Sequence, residues 1–470
     1  MAISNRPNIV FILIDDLGWR DLGCTGSSFY ETPRLDRLAA EGMRFTQAYA
    51  SCPVCSPTRA SILTGRYPAR VGVTNYIYGQ ERGRLLEVPY LDHLPLEETC
   101  LARPLSEAGY QTWHVGKWHL GKEPFYPDKH GFDVNVGGCG WGHPKYGYFT
   151  PYQIPGLSDG PEDEYLTDRL TDEAIRLIHG SDGRPFFLNF CHYAVHTPIQ
   201  APAADVARFE AKARSLGLDQ AKILVEGEAF PCEHKKSKRV VRRIVQSDPT
   251  YAAMVWNLDW NIGRLLDALD EAGLRDNTMV VFTSDNGGLA TAEGSPTSNA
   301  PLAEGKGWMY EGGTREPLIV RWPGVVAPGA VSDAVTTSPD FYPTLLEVAG
   351  HSPMPEQHCD GVSMVGALKG GAMPAREAIY WHYPHYGNQG GTPGCSMRAG
   401  DYKLIEFFET GCLELYNLRE DESETRNLAG EKPELAQRLH KTLVAWRESV
   451  EAKIPARNPD FQPWPGREWD

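Results

Sequence analysis

The segment from Asn8 to Ile14 limits the possible folds of this chain more than any other. Its last six residues are all apolar, and such an uninterrupted run is typical of a strand buried on both faces of a parallel sheet. Further strand-like runs occur at 111–115, 185–190, 278–283 and 319–324, and helical patterns occur at 32–42 and 251–273. Strands that alternate with helices predict an α/β sandwich around a large, mostly parallel sheet.

The pattern changes after about residue 370, where Gly370, Gly371 and Pro374 indicate a joint. Short strand-like runs follow at 378–381, 395–398, 403–406 and 413–416, and a helical pattern extends from 433 to about 450. We therefore predict a large domain over residues 1–370 and a smaller C-terminal subdomain over residues 371–470. A chain of 470 residues with 41% hydrophobic content can bury a core for both.

The overall charge argues against two classes of partner. The chain has 61 acidic and 46 basic residues, a net charge of −15, so neither a nucleic acid nor an anionic membrane surface is expected as its main partner. The basic run 234–239, with Arg242 and Arg243, is predicted to be a solvated insertion rather than a polyanion groove. The ten cysteines are too few for a disulfide framework in a chain of this length.

The N-terminal residues and the hydropathy predict the location. No apolar run has membrane-spanning length, and the stretch Met1 to Pro7 is too short and too polar for a signal peptide. The sequence as written therefore predicts a cytoplasmic protein. If a leader has been removed, a periplasmic or secreted protein is expected instead.

Polar side chains follow two of the buried strands directly. Asp15 and Asp16 end the first, and Asp285 and Asn286 follow the run at 278–283. Paired carboxylates repel each other unless a cation lies between them, and hard oxygen ligands suit Ca²⁺ or Mg²⁺. In isolation, each motif is equally typical of a helix cap or a turn. Because parallel strands bring their carboxyl ends together, we predict one divalent cation site from these residues.

Four further segments carry candidate catalytic side chains. Cys55 begins a predicted helix near Arg59, so its thiol is a candidate nucleophile, although most free cysteines simply pack in a core. The other candidates lie in glycine-rich turns or after apolar runs, and each alone is typical of an ordinary loop residue. They are Lys117 and His119 within 116–121, His196 within 193–198, and Lys306 between two glycines.

Together these motifs resemble the signatures of the type I sulfatase family, within the alkaline-phosphatase-like superfamily. The resemblance depends on Cys-x-Pro-x-Arg at 55–59, Ala-x-x-x-Thr-Gly-Arg at 60–66 and Gly-Lys-Trp-His-Leu-Gly at 116–121. Thr58 takes the place of the commoner serine. Five motifs occur in the family's order across residues 8–345, with a weaker match in the last hundred residues. The resemblance implies an alkaline-phosphatase-like fold that a short antiparallel sheet and a helix complete.

The resemblance also implies a mechanism for hydrolysis of sulfate monoesters. Cys55 would be oxidised to formylglycine by a formylglycine-generating or an anaerobic sulfatase-maturating enzyme, and the hydrated aldehyde would attack sulfur. One divalent ion, usually calcium, would bind residue 55 and the four residues Asp15, Asp16, Asp285 and Asn286. The remaining motif residues act on substrate or charge: Lys117 and Lys306 bind sulfate, His119 takes a proton from the nucleophile, His196 lies on the leaving-group side, and Arg59 offsets the carboxylates.

The substrate is the least determined part of this interpretation. Aromatic and polar segments at 141–146 and 381–386, which include His143 and His385, are predicted to form a sugar-binding rim, and ordinary loop packing is the alternative. We expect an exo-acting enzyme for a sulfated saccharide rather than a small aryl ester. Two alternatives stay open: a phosphonate or phosphate ester hydrolase, and a carbohydrate-binding protein in which Cys55 is not converted.

Overall fold

A nine-stranded, mostly parallel sheet forms the centre of the larger part of the chain. The computed structural model describes residues 6–469. The strands of this sheet are β1 (Asn8–Ile14), β2 (Met43–Tyr49), β3 (Gln111–Gly116), β4 (Val134–Val136), β5 (Phe186–Cys191), β8 (Thr278–Ser284), β9 (Arg315–Arg321), β10 (Ala330–Ser332) and β11 (Thr336–Thr337). Their order is β10-β2-β9-β8-β1-β5-β3-β4, and β11 pairs with β2.

The register of the central strands confirms the predicted parallel sheet. Strand β1 pairs in parallel with β5 and with β8, so that Leu13 lies opposite Cys191 and Ile14 opposite Ser284. Strand β9 is antiparallel to both of its neighbours, β2 and β8. The prediction missed β2, because its sequence lacks the uniform apolar run that marks the other strands. Its pairing with β9 is irregular as well, since the register shifts between Phe45 and Ala48.

Helices cover both faces of the sheet. The helices are α1 (Pro33–Glu41), α2 (Cys55–Thr64), α3 (Pro68–Val71), α4 (Ala102–Glu107), α5 (Leu166–His179), α6 (Ala203–Ser215), α7 (Pro249–Glu271), α8 (Glu311–Thr314), α9 (Phe341–Val348), α10 (Val365–Leu368) and α11 (Pro433–Ser449). Alternate residues of β1 enter two separate cores: Val10, Ile12 and Ile14 pack with α5 and α7, and the odd-numbered residues of the strand pack with α2 and α9. The predicted α/β sandwich is therefore confirmed.

A four-stranded antiparallel sheet follows in the C-terminal part. Its strands are β12 (Ile379–Tyr383), β13 (Gly394–Ala399), β14 (Tyr402–Phe407) and β15 (Cys412–Asn417), paired in that order. Helix α11 packs on one face through Leu439 and Leu443. On the other face, Trp381 and Ile405 pack against Val54, the residue before Cys55. The predicted antiparallel sheet and helix are present, and the boundary at residue 370 stays a prediction.

Residues 201–250 contain more structure than the sequence predicted. They form α6 and a hairpin of β6 (Leu224–Ala229) and β7 (Arg239–Arg243). Most of the basic run at 234–239 is exposed, whereas the guanidinium of Arg242 pairs with Glu228 and Glu304. All ten cysteines are free, and within residues 6–469 no helix is long and apolar enough to cross a membrane.

Candidate active site

The predicted site residues meet at the carboxyl edge of the central sheet. Asp15 and Asp16 follow β1, Asp285 follows β8 and Lys117 follows β3. Potential ligand atoms of Asp15, Asp16 and His196 lie within 4.8 Å of one another, as do those of Asp15, Cys55 and Asp285. Segments separated by up to 270 residues thus converge because parallel strands end side by side.

Each buried carboxylate of this cluster contacts one cation. The pairs are Lys117 Nζ with Asp15 Oδ2 at 2.5 Å, Lys306 Nζ with Asp16 Oδ2 at 2.8 Å, and Arg59 Nε with Asp285 Oδ2 at 2.8 Å. All six side chains are at most 5% exposed. The site is therefore locally balanced in charge within a protein that is acidic overall, and an anionic ester entering it meets buried cations.

Two buried oxygen atoms indicate room for a further cation. Asp15 Oδ1 and Asn286 Oδ1 have no hydrogen-bond partner among residues 6–469, and an unpaired buried polar atom is costly. Burial, opposed by the ammonium of Lys117, raises the pKa of Asp15 well above its usual range. Three carboxylates and one amide oxygen are the ligands of Ca²⁺ or Mg²⁺ rather than of zinc. The residues present thus fit a divalent cation.

Asp16 and Lys306 hold each other in their charged forms. Burial disfavours the carboxylate of Asp16, but Lys306 and His196 lower its pKa to about 2. Burial likewise disfavours the ammonium of Lys306, but Asp16 raises its pKa above the usual range. Lys306 is therefore a permanent cation at the base of the cavity described below.

Cys55 is the first residue of α2 and faces the cluster. Its Sγ lies 3.3 Å from Nδ1 of His119, and burial raises the pKa of the thiol. The Ser56 hydroxyl donates to the His119 carbonyl, and the Thr58 hydroxyl donates to the Cys52 carbonyl at 3.1 Å. Threonine at position 58 thus keeps a hydroxyl that anchors the turn before Cys55.

Two site residues have left-handed backbone conformations that side chains rarely adopt. The φ angle is 63° at Asp16 and 55° at His119. These conformations direct both side chains into the site. Burial, together with Lys117 and Arg59, holds the pKa of His119 well below its usual range, so its imidazole is neutral and can accept a proton.

His196 lies beside Asp16 at the side of the site. Its Nε2 is 3.6 Å from Asp16 Oδ2, and its Nδ1 donates to the Thr197 carbonyl at 2.9 Å. Burial and the Lys306 ammonium hold the pKa of His196 well below its usual range. The ring of His143 is nearly parallel to that of His196, with centroids 6.1 Å apart.

An open cavity of about 410 Å³ leads from the surface to Cys55. Its base includes His119, His196 and Lys306, and the exposed His143 lies at its mouth. A role for His143 in sugar binding stays a prediction. Lys117 does not line it, because the Lys117 ammonium is fully buried against Asp15.

The prediction for the second rim segment was wrong. Residues 381–386 are buried rather than exposed, and the side chain of His385 is enclosed between Tyr90 and Tyr383, with its Nε2 2.9 Å from Thr74 Oγ1. The start of this segment belongs to strand β12, and the aromatic residues of that strand pack in the core of the small sheet.

The sequence analysis missed several residues that shape the cavity. It placed Gly142 only in a rim segment, whereas this glycine leaves space for the His119 ring, since a Cβ there would lie 2.5 Å from His119 Cε1. Tyr78, Glu293 and Asn388 line the cavity but belong to no recognisable motif. The glycine after Asn286 allows a close backbone approach, since a Cβ at Gly287 would lie 1.8 Å from the Gly312 carbonyl oxygen.

Such a site can hydrolyse an anionic ester, because the buried Lys306 ammonium lines the same cavity as the candidate nucleophile Cys55. Comparison with protein families matches residues 7–351 to the family described as Sulfatase, and residues 304–449 to the family described as N-sulphoglucosamine sulphohydrolase, C-terminal. The chain therefore belongs to the sulfatase family, and it is a sulfuric ester hydrolase. Family membership implies a formylglycine and a divalent metal ion.

Individual relatives agree with this assignment. A sulfatase of Formosa agariphila is 32% identical over 99% of this chain and 93% of that protein. The N-acetylgalactosamine-6-sulfatase of Mus musculus is 33% identical over 90% of this chain and 76% of that protein. The solved structure of Ps i-CgsB in complex with k-i-k-neocarrahexaose has a TM-score of 0.76 and 29% identity, and the match covers 97% of this chain and 95% of that chain.

Proposed function

We propose that this sulfatase removes a sulfate group from the end of a sulfated saccharide. The observation that carries the proposal is the cavity above Cys55, which has Lys306 at its base and aromatic side chains such as Trp141 at its mouth. Aromatic faces suit sugar rings, and a volume of about 410 Å³ accommodates a terminal sugar unit. In support, one relative is an N-acetylgalactosamine-6-sulfatase, and one similar structure was solved in complex with k-i-k-neocarrahexaose.

The nucleophile comes from residue 55 in this proposal. Once a formylglycine-generating or an anaerobic sulfatase-maturating enzyme has oxidised Cys55, the hydrated aldehyde supplies a nucleophile that can be regenerated after each turnover. Cys55 is only 2% exposed at the start of α2, so the maturation enzyme would need access before the fold closes around it. His119, neutral and 3.3 Å from Sγ, is placed to accept a proton from this residue.

The cation is proposed to be Ca²⁺, with Mg²⁺ as the alternative. Asp15, Asp16, Asp285 and Asn286 would hold it, and it would neutralise charge on the sulfate oxygens. Lys306 faces the cavity and binds one of those oxygens, and Lys117 adds positive charge from its position below Asp15. Arg59 keeps Asp285 in place, because its Nε donates a hydrogen bond to Asp285 Oδ2 and its Nη2 lies 2.8 Å from the same oxygen.

The experiment that tests the function measures inorganic sulfate released from defined sulfated mono- and disaccharides. We expect release from a terminal sulfated sugar, at a kcat/KM at least about 10²-fold above that for the matching phosphate ester. A faster reaction with phosphate or phosphonate esters would favour the alternative hydrolase. An unconverted Cys55, seen in the mass of the peptide that contains it, together with no release of any anion would favour the carbohydrate-binding protein.

His196 is expected to matter most for poor leaving groups. If it assists departure of the alkoxide, His196→Ala should lower kcat about 10²-fold on a sugar sulfate and less than about 10-fold on nitrophenyl sulfate, whose phenolate leaves unaided. Lys306→Ala should slow both substrates alike, because Lys306 binds the sulfate that they share. Equal losses on both substrates for His196→Ala would leave this histidine a sulfate-binding role only.

A further inference from the structure

We propose that the mouth of the cavity holds a second anion-binding subsite, formed by Lys122 and Lys145, for a sulfate or carboxylate group that the substrate carries beside the ester being cleaved. This inference rests on the proposed saccharide sulfatase function and names its substrate more closely. The preferred substrate is then a saccharide with at least two anionic groups.

Both lysines line the cavity and lack an acidic partner. Within residues 6–469, neither Lys122 nor Lys145 forms an ion pair or donates a side-chain hydrogen bond. The two deeper lysines of the site, Lys117 and Lys306, each contact an aspartate. In a protein with 61 acidic and 46 basic residues, two unpaired cations at the mouth of the catalytic cavity are available to a ligand.

Aromatic rings hold both ammonium groups at the wall of the cavity. Lys122 Nζ lies 4.6 Å from the centroid of the Tyr78 ring, and Lys145 Nζ lies 4.7 Å from that of Trp141. Both rings also line the cavity. Cation–π contacts of this length reduce the freedom of long side chains, so less entropy is lost when an anion binds.

The charge of the lining favours anions over neutral ligands. Three lysines line the cavity, namely Lys122, Lys145 and Lys306, against one carboxylate, that of Glu293. Glu293 is itself occupied, since its Oε1 accepts a hydrogen bond from Asn388 Nδ2 at 2.8 Å. Burial and the nearby lysines 117 and 145 lower the pKa of His143, so this histidine adds a neutral donor or acceptor rather than a charge.

One sulfate does not use all of these cations. Lys306 at the base serves the sulfate that is cleaved, so a monosulfated sugar leaves Lys122 and Lys145 without a ligand. A second sulfate or a uronate carboxylate would form charge-assisted hydrogen bonds with them. A hydrogen bond to a charged group typically changes affinity by about tenfold or more, and we expect a preference of that size.

The test compares kcat/KM for three saccharides: one with a single sulfate, its disulfated counterpart, and one with a single sulfate next to a uronate. The variants are Lys122→Met and Lys145→Met, which keep the apolar stem on the ring but remove the charge. Lys122→Arg retains the charge, and Lys369→Met is the control because Lys369 is exposed and lies outside the cavity.

For the enzyme without substitutions, we expect kcat/KM for at least one doubly anionic substrate to be about tenfold higher than for the monosulfated one. Each Met variant should lose most of that preference, whereas Lys122→Arg and the Lys369→Met control should keep it. The disulfated and uronate substrates identify which second anion is bound. Equal efficiency on all three saccharides, or equal losses on all three in the Met variants, would overturn the subsite and leave the proposed function intact. If the enzyme without substitutions releases sulfate from none of the saccharides, both the subsite and the proposed function are overturned.

Discussion

Cys55→Ala is expected to lower kcat for sulfate release by about 10⁴-fold or more, because it removes the side chain from which the nucleophile is made. The side chain occupies the first position of α2, where alanine is a good helix former, so the protein should still fold. The measurement is sulfate release, with circular dichroism to check the fold. In the protein without this substitution, the mass of the peptide that contains residue 55 should show that the thiol sulfur has been lost.

Cys52→Ala is the matched control for this variant. Cys52 is buried three residues earlier and does not line the cavity, and only its backbone carbonyl bonds to Thr58. The Cys52→Ala variant should have a kcat within a few-fold of that of the protein without substitutions. Its free energy of unfolding should fall by about 1 kcal/mol, because the side chain is smaller. Retention of more than a trace of activity by Cys55→Ala would contradict the proposed nucleophile.

Asp15→Asn is expected to abolish the response of the protein to a divalent cation and to lower kcat at least about 10³-fold. For the protein without this substitution, Ca²⁺ at a hundred times its Kd should add about 2.7 kcal/mol to the free energy of unfolding and raise Tm by about 3 °C. The variant removes a charged ligand atom and leaves the Lys117 ammonium buried without its carboxylate. Its Tm should therefore fall and no longer rise with Ca²⁺.

A second buried carboxylate provides the control for the cation. Asp340 is fully buried, pairs with Arg376 at 2.5 Å, and its carboxylate forms its other hydrogen bonds with Thr337 and Val362 rather than with residues of the cluster. Asp340→Asn should also lower Tm, because it breaks a buried ion pair, but its Tm should still rise with Ca²⁺. If Ca²⁺ raised the Tm of Asp15→Asn by the same amount, the proposed cation site would be contradicted. Removal of bound Ca²⁺ with EGTA, followed by addition of Mg²⁺, distinguishes the two metals.

Much of the central sheet could be predicted because its strands carry a local signal. The run from Ile9 to Ile14 is apolar at every position, and a strand buried on both faces requires this wherever it lies. The polar residues at its end, Asp15 and Asp16, therefore marked the edge of the sheet where the site lies. Strand β2 carried no such signal, because intermediate and buried positions follow each other irregularly along it.

The position of the second rim segment could not be read from local composition. Aromatic and histidine residues occur both in sugar-binding loops and in small cores, and the sequence at 381–386 is compatible with either. Pairing of β12 with β13 and packing against Tyr49 and Val54 decided in favour of the core, which encloses His385. Contacts between segments more than 300 residues apart determine this outcome.

The sequence by itself determined the class of the protein, because the motifs around Cys55, Lys117 and Lys306 each require particular residue types at fixed spacings for their chemistry. Only the tertiary structure decided how their charges combine. It paired Lys306 with Asp16, left oxygen atoms of Asp15 and Asn286 without a partner, and turned the backbone of His119 into the left-handed region. It also brought Lys122 and Lys145 to one cavity, where neither forms an ion pair with any of residues 6–469, since charge balance depends on distances in space and not on separation along the chain.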